Sequence, residues 1–575
     1  MNQPGMQNMS AFASARDAAP QFDYVIVGGG AAGCVLANRL SADGRHTVCL
    51  LEAGPPDRNP FIHIPAGFIK LAYDARWTWQ IKTEPAHWTA GRGIPTTQGR
   101  TLGGSSAING FNYTRGQRLD YDGWAALGNP GWSYAEVLPY FKRSEQRIGA
   151  ADPRYRGTQG PLPVTDCDWH HPLCDAFIES AHEAGVPHNT DYNGARQAGA
   201  GYYQRWIHRG WRYSTARAFL RPAMKRPNLT VITRAQATRV LLEGRRAAGV
   251  AYAVAPGTPA RHVRARREVV LCCGSANTPK LLMLSGIGDP ERLSPHGIAV
   301  RHALPGVGAN LQDHHMIRSS CRVRGVATLN ELARGWRLAG QIMRWMAGRP
   351  SILGISPSVA YAFWKSDPAL DRPDLQFHFS PGSYKEGVAG LLDNFPGMTL
   401  GFYPMRPRSR GHVRLASADP YVLPIVQPNY LSEESDRAIA ISGLRLTRRI
   451  LHGQALARYH EADMFPPAEA TSDADLLEFA RNRGGTAWHL MGTCRMGPVG
   501  DAASVVDASL RVIGLEGLRV ADASIMPTMT SGNTQVPTMM IAEKAADLIL
   551  GRSGPPAEDP EASVASAGAL DALPA

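Results

Sequence analysis

The fold class of this 575-residue chain is decided by the stretch FDYVIVGGGAAGCVLANRLSADGRHTVCLLE, residues 22–52. Phe22 to Val27 is a short apolar run rich in aromatic and β-branched residues that ends in glycines, which predicts a buried strand. Ala31 to Leu40 has the character of a helix, and Thr47 to Leu51 predicts a second buried strand. Two strands joined by a helix form a parallel βαβ unit, so the stretch predicts an α/β fold.

The glycines at the end of the first strand, Gly28, Gly30 and Gly33, fit the pattern G-x-G-x-x-G. Such glycines let the backbone approach a pyrophosphate, whose charge the N-terminus of the following helix attracts. Glu52 stands at the end of the second strand, where a carboxylate can accept hydrogen bonds from ribose hydroxyls. The unit predicts a dinucleotide site without separating FAD from NAD, and a glycine-rich turn beside a surface glutamate is the structural alternative.

Two later segments, Glu268–Cys273 and Gly517–Ala521, also predict buried strands, each followed by a turn and a helix. Strand–turn–helix units this far apart in sequence predict one sheet assembled from distant segments. The chain between the ends has neither an internal repeat nor a long linker. We therefore expect two domains that interleave. Both ends are low in complexity and predict disordered tails.

Composition excludes several classes of protein. Hydrophobic residues make up 44% of the chain and charged residues 19%, which excludes a disordered chain as a whole. Apolar runs are too short for a membrane-spanning helix. The net charge is +12, but the basic residues are mostly arginines spread along the sequence. The dense run Arg261–Arg267 precedes an apolar stretch and predicts a solvated start of a strand, so we expect no nucleic-acid partner.

The eight cysteines do not form the framework of a small disulfide-rich secreted protein. Residues 1–21 lack the apolar core of a signal peptide. We therefore expect a cytoplasmic location.

Four motifs resemble those of the glucose–methanol–choline (GMC) family of flavoprotein oxidoreductases. They are GRTLGGSSAING at 99–110, GSANTPKLLMLSGIG at 274–288, HLMGTCRMG at 489–497, and the segment Asp522–Lys544. The resemblance extends from about residue 22 to about residue 550. It implies an α/β fold, α+β overall, in which a Rossmann-like FAD-binding domain is interleaved with a substrate domain built on an antiparallel sheet with flanking helices.

The expected domain bounds follow from this resemblance. Residues 22–325 and 500–550 would form mainly the FAD-binding domain, and residues 326–499 mainly the substrate domain. The disordered tails would cover residues 1–21 and 551–575.

The resemblance also implies the residues that contact FAD. Asp522 has a structural alternative as a helix N-cap, and the two roles are compatible. Some family members bind FAD covalently through a histidine just before the asparagine of the first motif. Ile108 stands there in this chain, so we expect non-covalent FAD. The expected contacts are Gly28, Gly30, Gly33, Glu52, Ala53, Arg100, Thr101, Leu102, Gly103, Gly104, Asn109, Gly110, Ala237, Gly274, Asp522, Ala523 and Asn533.

His489 aligns with the active-site histidine of the family and is the expected catalytic base, because a neutral imidazole can accept the proton of an alcohol. Gln535 occupies the position where the family usually has an asparagine or a histidine facing the substrate oxygen. Its amide can still donate a hydrogen bond there. Alternatively, Gln535 orients His489 while Asn533 supports the flavin, or Gln535 is only a wall of the pocket.

The resemblance implies FAD-dependent oxidation of an alcohol CH–OH group to the aldehyde, with hydride transfer to flavin N5. A primary aryl, furan or alkyl alcohol is the expected substrate, and oxygen or a quinone the electron acceptor. Three alternatives stay open: a choline-type dehydrogenase with a quinone acceptor, a flavin-dependent lyase on the same fold, and a flavin-binding protein without chemistry.

Three further segments carry weaker signals. Cys167–Cys174 contains two cysteines and two histidines, but the spacing is not that of a zinc site, so we expect no metal. Leu332–Met346 predicts an amphipathic helix, either partly buried over the active-site mouth or lying on a membrane surface; we favour the first. Asp313–His315 is assigned to a structural or flavin-adjacent loop without a catalytic role.

Overall fold

The computed structural model describes residues 19–385 and 391–561, and it contains the predicted βαβ unit. Strand Gln21–Val27 lies between Val48–Glu52 and the second half of Arg261–Leu271 and runs parallel to both. Helix Ala31–Leu40 connects the first two strands. Residues Val48 to Glu52 are all buried, as expected for a parallel strand covered on both faces.

The two halves of strand Arg261–Leu271 differ in burial and pair with different strands. Its first half carries the arginine run, alternates between exposed and buried residues, and pairs antiparallel with Arg246–Ala253. Its last residues are buried and pair parallel with Leu518–Val520. The predicted solvated strand start is confirmed. The seven strands of this sheet in the described residues are Gln21–Val27, Val48–Glu52, Leu229–Thr233, Gln236–Glu243, Arg246–Ala253, Arg261–Leu271 and Leu518–Val520.

The second large sheet is antiparallel and joins segments far apart in sequence. Strand Gly199–Tyr202 reaches it from within the range expected to be mainly FAD-binding, because it pairs with Ala360–Trp364. The strands of this sheet in the described residues are Gly199–Tyr202, His315–Val323, Ala360–Trp364, Leu375–Ser380, Gly397–Pro404, His460–Phe465 and Gly485–Thr486.

The two faces of the antiparallel sheet have different partners, since successive side chains of a strand point to opposite faces. Ile317, Phe377 and Phe402 belong to a buried apolar cluster with residues of helices Pro172–Glu183 and Glu434–Leu451. The residues that alternate with these along the strands point to the other face, where they line a large cavity. One face therefore builds a core, and the other is free to bind a ligand.

The longer α-helices cover these sheets. Helix Gln535–Leu550 packs against Ala31–Leu40 and Tyr134–Ser144 and is buried along most of its length. The other α-helices of more than four residues in the described chain are Arg118–Ala126, Pro172–Glu183, Gly274–Leu284, Gly335–Met346, Glu434–Leu451 and Asp473–Arg483.

One expectation about the C-terminal tail is corrected here. The tail predicted to be disordered from Gly551 contacts the body of the protein as far as Glu561: Asp559 forms a bidentate ion pair with Arg118 at 2.8 and 2.9 Å, and the amide of Glu558 donates to the carbonyl of Ala135. These contacts hold the segment against the protein although its sequence is low in complexity. Residues 1–18 and 562–575 lie outside the described residues.

The helix predicted over Leu332–Met346 forms over Gly335–Met346. One edge of it is half-buried, as expected, because Leu338 packs against the apolar cluster of the antiparallel sheet and Trp345 contacts Gly210. Its position at the active-site mouth stays a prediction. Over residues 19–385 and 391–561, every helix is too short or too polar to cross a membrane.

Candidate active site

A cavity of about 1000 Å³ extends from the glycine-rich turn to the free face of the antiparallel sheet. Gly28 and Glu52 line one end of the cavity, and His378 and His489 line the other. The cavity thus joins the predicted dinucleotide site to the predicted catalytic histidine.

The glycine turn needs residues without side chains. Gly28 has φ +102°, and a Cβ there would lie 2.4 Å from the carbonyl oxygen of Cys272. A Cβ on Gly33 would lie 1.9 Å from the carbonyl oxygen of Gly28, so this glycine lets the helix pack closely on the strand. The turn therefore has the close backbone packing that the fingerprint predicts.

Two buried carboxylates hold the backbone at this end of the cavity. Glu52 accepts hydrogen bonds from the amides of Gly29 and Gly54, both at 2.7 Å, and burial raises its pKa to about 7. Asp522 accepts from the Gly274 amide at 2.8 Å, and burial raises its pKa as well. Asp522 also caps the short helix Ala523–Ile525, so its N-cap alternative is present in the structure.

Most of the predicted cofactor residues line the cavity, but Arg100–Gly103 and Gly33 do not. Thr101 donates to the carbonyl of Pro55 at 2.8 Å, and the amide of Gly103 donates to Gly29 at 2.7 Å. These two bonds tie Thr101 and Gly103 to the backbone around the glycine turn, and the expected contacts of Arg100–Gly103 and Gly33 with FAD stay a prediction. The predicted residues that line the cavity are Gly28, Gly30, Glu52, Ala53, Gly104, Asn109, Gly110, Ala237, Gly274, His489, Asp522, Ala523, Asn533 and Gln535.

The cavity wall also presents polar atoms that lack a partner in the described protein. They include Nε2 of Gln98, Oγ of Ser275, Nε2 of His378 and Nε2 of Gln535, all buried. Buried polar groups are normally hydrogen-bonded, so atoms of this kind are suited to a bound molecule. The glycine turn, the two carboxylates and these atoms together fit a dinucleotide as long as FAD.

At the other end of the cavity His489 belongs to a chain of hydrogen bonds. His314 Nε2 lies 2.9 Å from the carbonyl oxygen of Met405, and the Nδ1 atoms of His314 and His489 are 2.9 Å apart. A carbonyl can only accept, so Nε2 of His314 carries its proton and its Nδ1 is an acceptor. His489 must then donate from Nδ1, which leaves a lone pair on its Nε2. Asn533 Nδ2 donates to this atom at 3.1 Å.

The surroundings keep His489 neutral and fix its backbone. Burial, together with His314 and His378, lowers the pKa of His489 well below its ordinary value. Burial also lowers the pKa of His314 to about 3. The amide of His489 donates to Asp313 at 2.7 Å. A neutral imidazole with a defined lone pair can accept a proton from an alcohol.

The partner of His489 in the structure is Asn533, so the alternative in which Gln535 orients this histidine is wrong, and the expected hydrogen bond of Gln535 to the substrate oxygen stays a prediction. Asn533 Oδ1 accepts from Thr114 at 3.1 Å and from Gln376 at 3.2 Å, which points its amino group toward His489. Gln535 begins the helix Gln535–Leu550 and lines the same cavity, with its Nε2 unpartnered. The structure therefore separates the two amides: one holds the histidine, and the other is available to a ligand.

Comparison with known proteins identifies the family. The model of the GMC oxidoreductase family matches residues 22–316 with its N-terminal part and residues 407–542 with its C-terminal part. The chain belongs to the GMC oxidoreductase family. The resemblance inferred from the four motifs is confirmed, and so is the mixed α/β fold.

Relatives of known name cover nearly the whole GMC chain. An alcohol dehydrogenase [acceptor] of Pseudomonas putida is 42% identical over 92% of this chain and 96% of its own. An oxygen-dependent choline dehydrogenase of Brucella anthropi is also 42% identical with the same coverage. The crystal structure of pyridoxine 4-oxidase from Mesorbium loti is 31% identical with a TM-score of 0.82, over 92% of this chain and 99% of that one. This protein is an FAD-dependent oxidoreductase that acts on CH–OH donors.

Three site residues of this GMC protein were not predicted from its sequence. Asp313 and His314 were assigned to a loop without a catalytic role, yet they hold the backbone and the ring of His489. His378 was not predicted, although it is the one basic residue of strand Leu375–Ser380, which alternates apolar and polar residues. That alternation, which places His378 on the polar face of the strand, is the signal that could have identified it.

Possible metal ligands lie outside this cavity. The donor atoms of Cys167 and His171 do not point to a common site. Cys167 donates to the carbonyl of Trp169, and His171 caps helix Pro172–Glu183. Elsewhere in the described chain, donor atoms of Cys321, His460 and Asp463 lie within 4.8 Å of one another. The expectation of no metal therefore stays a prediction.

Proposed function

We propose that this GMC oxidoreductase oxidises a primary alcohol with an aryl, furan or alkyl body to the aldehyde, with His489 as the base. The observation that carries the proposal is the hydrogen-bond chain from Met405 through His314, which leaves the lone pair of His489 on Nε2, in the cavity. Relatives named for alcohol and choline oxidation support the same reaction class.

The residues at the far end of the cavity would hold FAD. Glu52 is placed for the ribose hydroxyls, and the N-terminus of helix Ala31–Leu40 for the pyrophosphate. FAD, when bound, supplies the acceptor for the hydride that leaves the alcohol carbon. We propose that it binds non-covalently, since Ile108 lines the cavity and has no nucleophile.

The residues around His489 have defined roles in moving the proton. When Nε2 accepts the alcohol proton, the ring becomes an imidazolium whose positive charge strengthens the hydrogen bond from Nδ1 to His314. Since Nε2 has one lone pair, the alcohol hydroxyl first displaces the amino group of Asn533 from it, and this amino group is then free to donate to the substrate oxygen. Asp313 keeps the backbone of His489 in place throughout.

The electron acceptor in this proposal is oxygen or a quinone. A cytoplasmic location is supported by the cysteines, which are all free and mostly buried.

The test is the His489→Ala variant. We expect its FAD content and thermal stability to stay close to those of the wild type, while kcat falls by about 10²–10⁴, the range of a positioned acid–base group. The matched control is His171→Ala, which removes a buried histidine outside the cavity. Turnover of His489→Ala near the wild-type value would remove this residue from the mechanism.

A further inference from the structure

The antiparallel sheet presents three rows of side chains to the catalytic end of the cavity. Because directly paired residues point to the same face, the register groups them across neighbouring strands. All but Gln376 are among the residues that line the cavity. The rows are Met316–Tyr403–Gln376, Arg318–Gly401–His378 and Ser320–Thr399–Ser380.

The middle row places a guanidinium beside His378. Gly401 lies between Arg318 and His378, and a Cβ on Gly401 would be only 3.2 Å from Cγ of Arg318. The arginine stem therefore passes over this glycine. A Cβ on Gly485 would lie 3.8 Å from Nη1 of Arg318. The guanidinium thus lies close to the segment that leads to His489.

Arg318 has neither a hydrogen bond nor an ion pair in the described part of the chain, and burial lowers its pKa. Arg318 is half-buried in the cavity wall, and a guanidinium partly removed from water without a carboxylate is costly. Two acidic residues, Glu52 and Asp522, are among the described residues that line the cavity, and both hold backbone amides at its cofactor end. Asp313 lies behind His489 and is bonded to Tyr430, Thr486 and the His489 amide, so the described cavity wall at the catalytic end is cationic.

We propose that the substrate is an alcohol that carries a carboxylate, which Arg318 binds while His489 takes the hydroxyl proton. This inference rests on the proposed function and narrows its substrate class. A planar guanidinium pairs with a carboxylate through two hydrogen bonds, which orients the substrate as well as binding it. A trimethylammonium alcohol such as choline is repelled by the same charge, so this chain differs in substrate from its relative named for choline.

The experiment compares three alcohols with the FAD-loaded enzyme: 4-(hydroxymethyl)benzoate, the neutral 4-methylbenzyl alcohol of similar shape, and choline. We expect kcat/KM to be highest for the hydroxymethylbenzoate and lowest for choline. Arg318→Gln is expected to lower kcat/KM for the hydroxymethylbenzoate by at least about thirtyfold, since loss of one partner of an enclosed charge pair costs on that order. The value for 4-methylbenzyl alcohol should fall much less, because this alcohol has no carboxylate for Arg318 to bind.

Arg318→Lys keeps the charge without the planar fork, and we expect it to recover part of the lost kcat/KM for the carboxylate alone. Arg322→Gln, on the same strand with its guanidinium over Phe395, is the matched control. An equal effect of Arg318→Gln on the neutral and the anionic alcohol would overturn the proposal, as would a preference for choline.

A binding measurement separates this proposal from the proposed function. The unreactive 4-methylbenzoate should perturb the flavin absorption of the wild type and of Arg322→Gln, but not that of Arg318→Gln. If all alcohols fail to turn over while this perturbation depends on Arg318, the proposed reaction is wrong and the anion site stands. If 4-methylbenzoate does not bind the wild type, the anion site is wrong.

A separate surface lies on helix Gly335–Met346. Trp336 is 81% exposed, Met343 65% and Met346 70%, and their spacing places them on one face. The opposite edge contacts the protein, where Trp345 Nε1 donates to the carbonyl of Gly210 at 2.9 Å. A large exposed apolar face on a helix marks a docking site.

The charges around this helix identify its occupant. Arg337 and Arg344 lie on the helix, Arg334 and Arg349 flank it, and the sequence has no acidic residue between Glu331 and Asp367. Exposed Trp and Met beside arginines are typical of helices that lie in the interface of anionic membranes. The structure assigns this face to an anionic lipid surface.

The experiment is co-sedimentation of the FAD-loaded protein with vesicles of phosphatidylcholine alone and of an equimolar mixture with phosphatidylglycerol. We expect binding to the mixed vesicles only, weakening as salt is raised. A variant with Trp336, Met343 and Met346 all changed to Ser should bind at least about tenfold more weakly. The same change at the exposed Leu119, Val300 and Val499 is the control.

Equal binding of both triple variants would overturn the assignment. So would a wild-type dimer that becomes a monomer in the helix variant, since the face would then be covered by a second copy of the chain.

Discussion

Replacement of His314 by Phe tests whether the histidine chain acts in the reaction. The variant keeps a ring that can stack on Tyr403, which in the wild type lies 4.2 Å away at an interplanar angle of 12°. It removes the Nδ1 acceptor that lies 2.9 Å from Nδ1 of His489. The change removes this hydrogen bond and the one from Nε2 to the carbonyl of Met405, and it keeps most of the packing.

The size of the effect follows from the charge that develops on His489. A hydrogen bond to a charged group contributes about 1.5–3 kcal/mol, and His489 gains its charge as it takes the alcohol proton. Each 1.36 kcal/mol corresponds to about a tenfold change in rate. We therefore expect the rate of flavin reduction in His314→Phe to fall by about tenfold to 150-fold.

The assay is the anaerobic reduction of enzyme-bound flavin by saturating alcohol, followed by stopped-flow absorbance. His314→Asn keeps an acceptor oxygen near the lost nitrogen, so it should retain more of the rate than the Phe variant. His171→Ala, a buried histidine outside the cavity, should leave the rate unchanged. A wild-type rate in His314→Phe with normal FAD content would refute the reasoning, because His489 would then act without this partner.

Three further outcomes are expected. Gln535→Ala should lower kcat/KM for alcohols by at least about tenfold, and an unchanged value would show that its amide does not act in the site. Asn533→Ala should lower kcat more strongly, because Asn533 contacts His489. Acid precipitation should release all the yellow colour into the supernatant, and colour kept in the pellet would show a covalent flavin. Burial lowers the pKa of His315 to about 4 and of His378 to about 3, so below about pH 6.5 the unfolded chain binds protons that the folded chain does not. The free energy of unfolding should therefore fall as the pH drops from about 6.5 toward 3, and a flat profile in urea titrations would contradict these directions.

The sequence alone determined the features that depend on local pattern. The apolar run before Gly28 and the spacing to Glu52 predicted the parallel strands, the helix Ala31–Leu40 and the glycine turn, because strand burial, helix start and close backbone packing leave their marks within a few residues. His489 was identified by the motif around it. These predictions needed only neighbours in sequence.

The tertiary structure alone decided which side chains meet. His314 and His489 are far apart in the chain and touch because strands His315–Val323 and Gly485–Thr486, which lie next to them in sequence, pair in the antiparallel sheet. Whether Asn533 or Gln535 contacts His489 depends on where helix Gln535–Leu550 begins. Asn533 precedes the helix and Gln535 is its first residue, so the two side chains point to different neighbours. The position of Arg318 in the cavity wall follows from a strand register that places Gly401 between it and His378. Register across strands is set by packing of the whole sheet, so the sequence pattern of any one strand does not contain it.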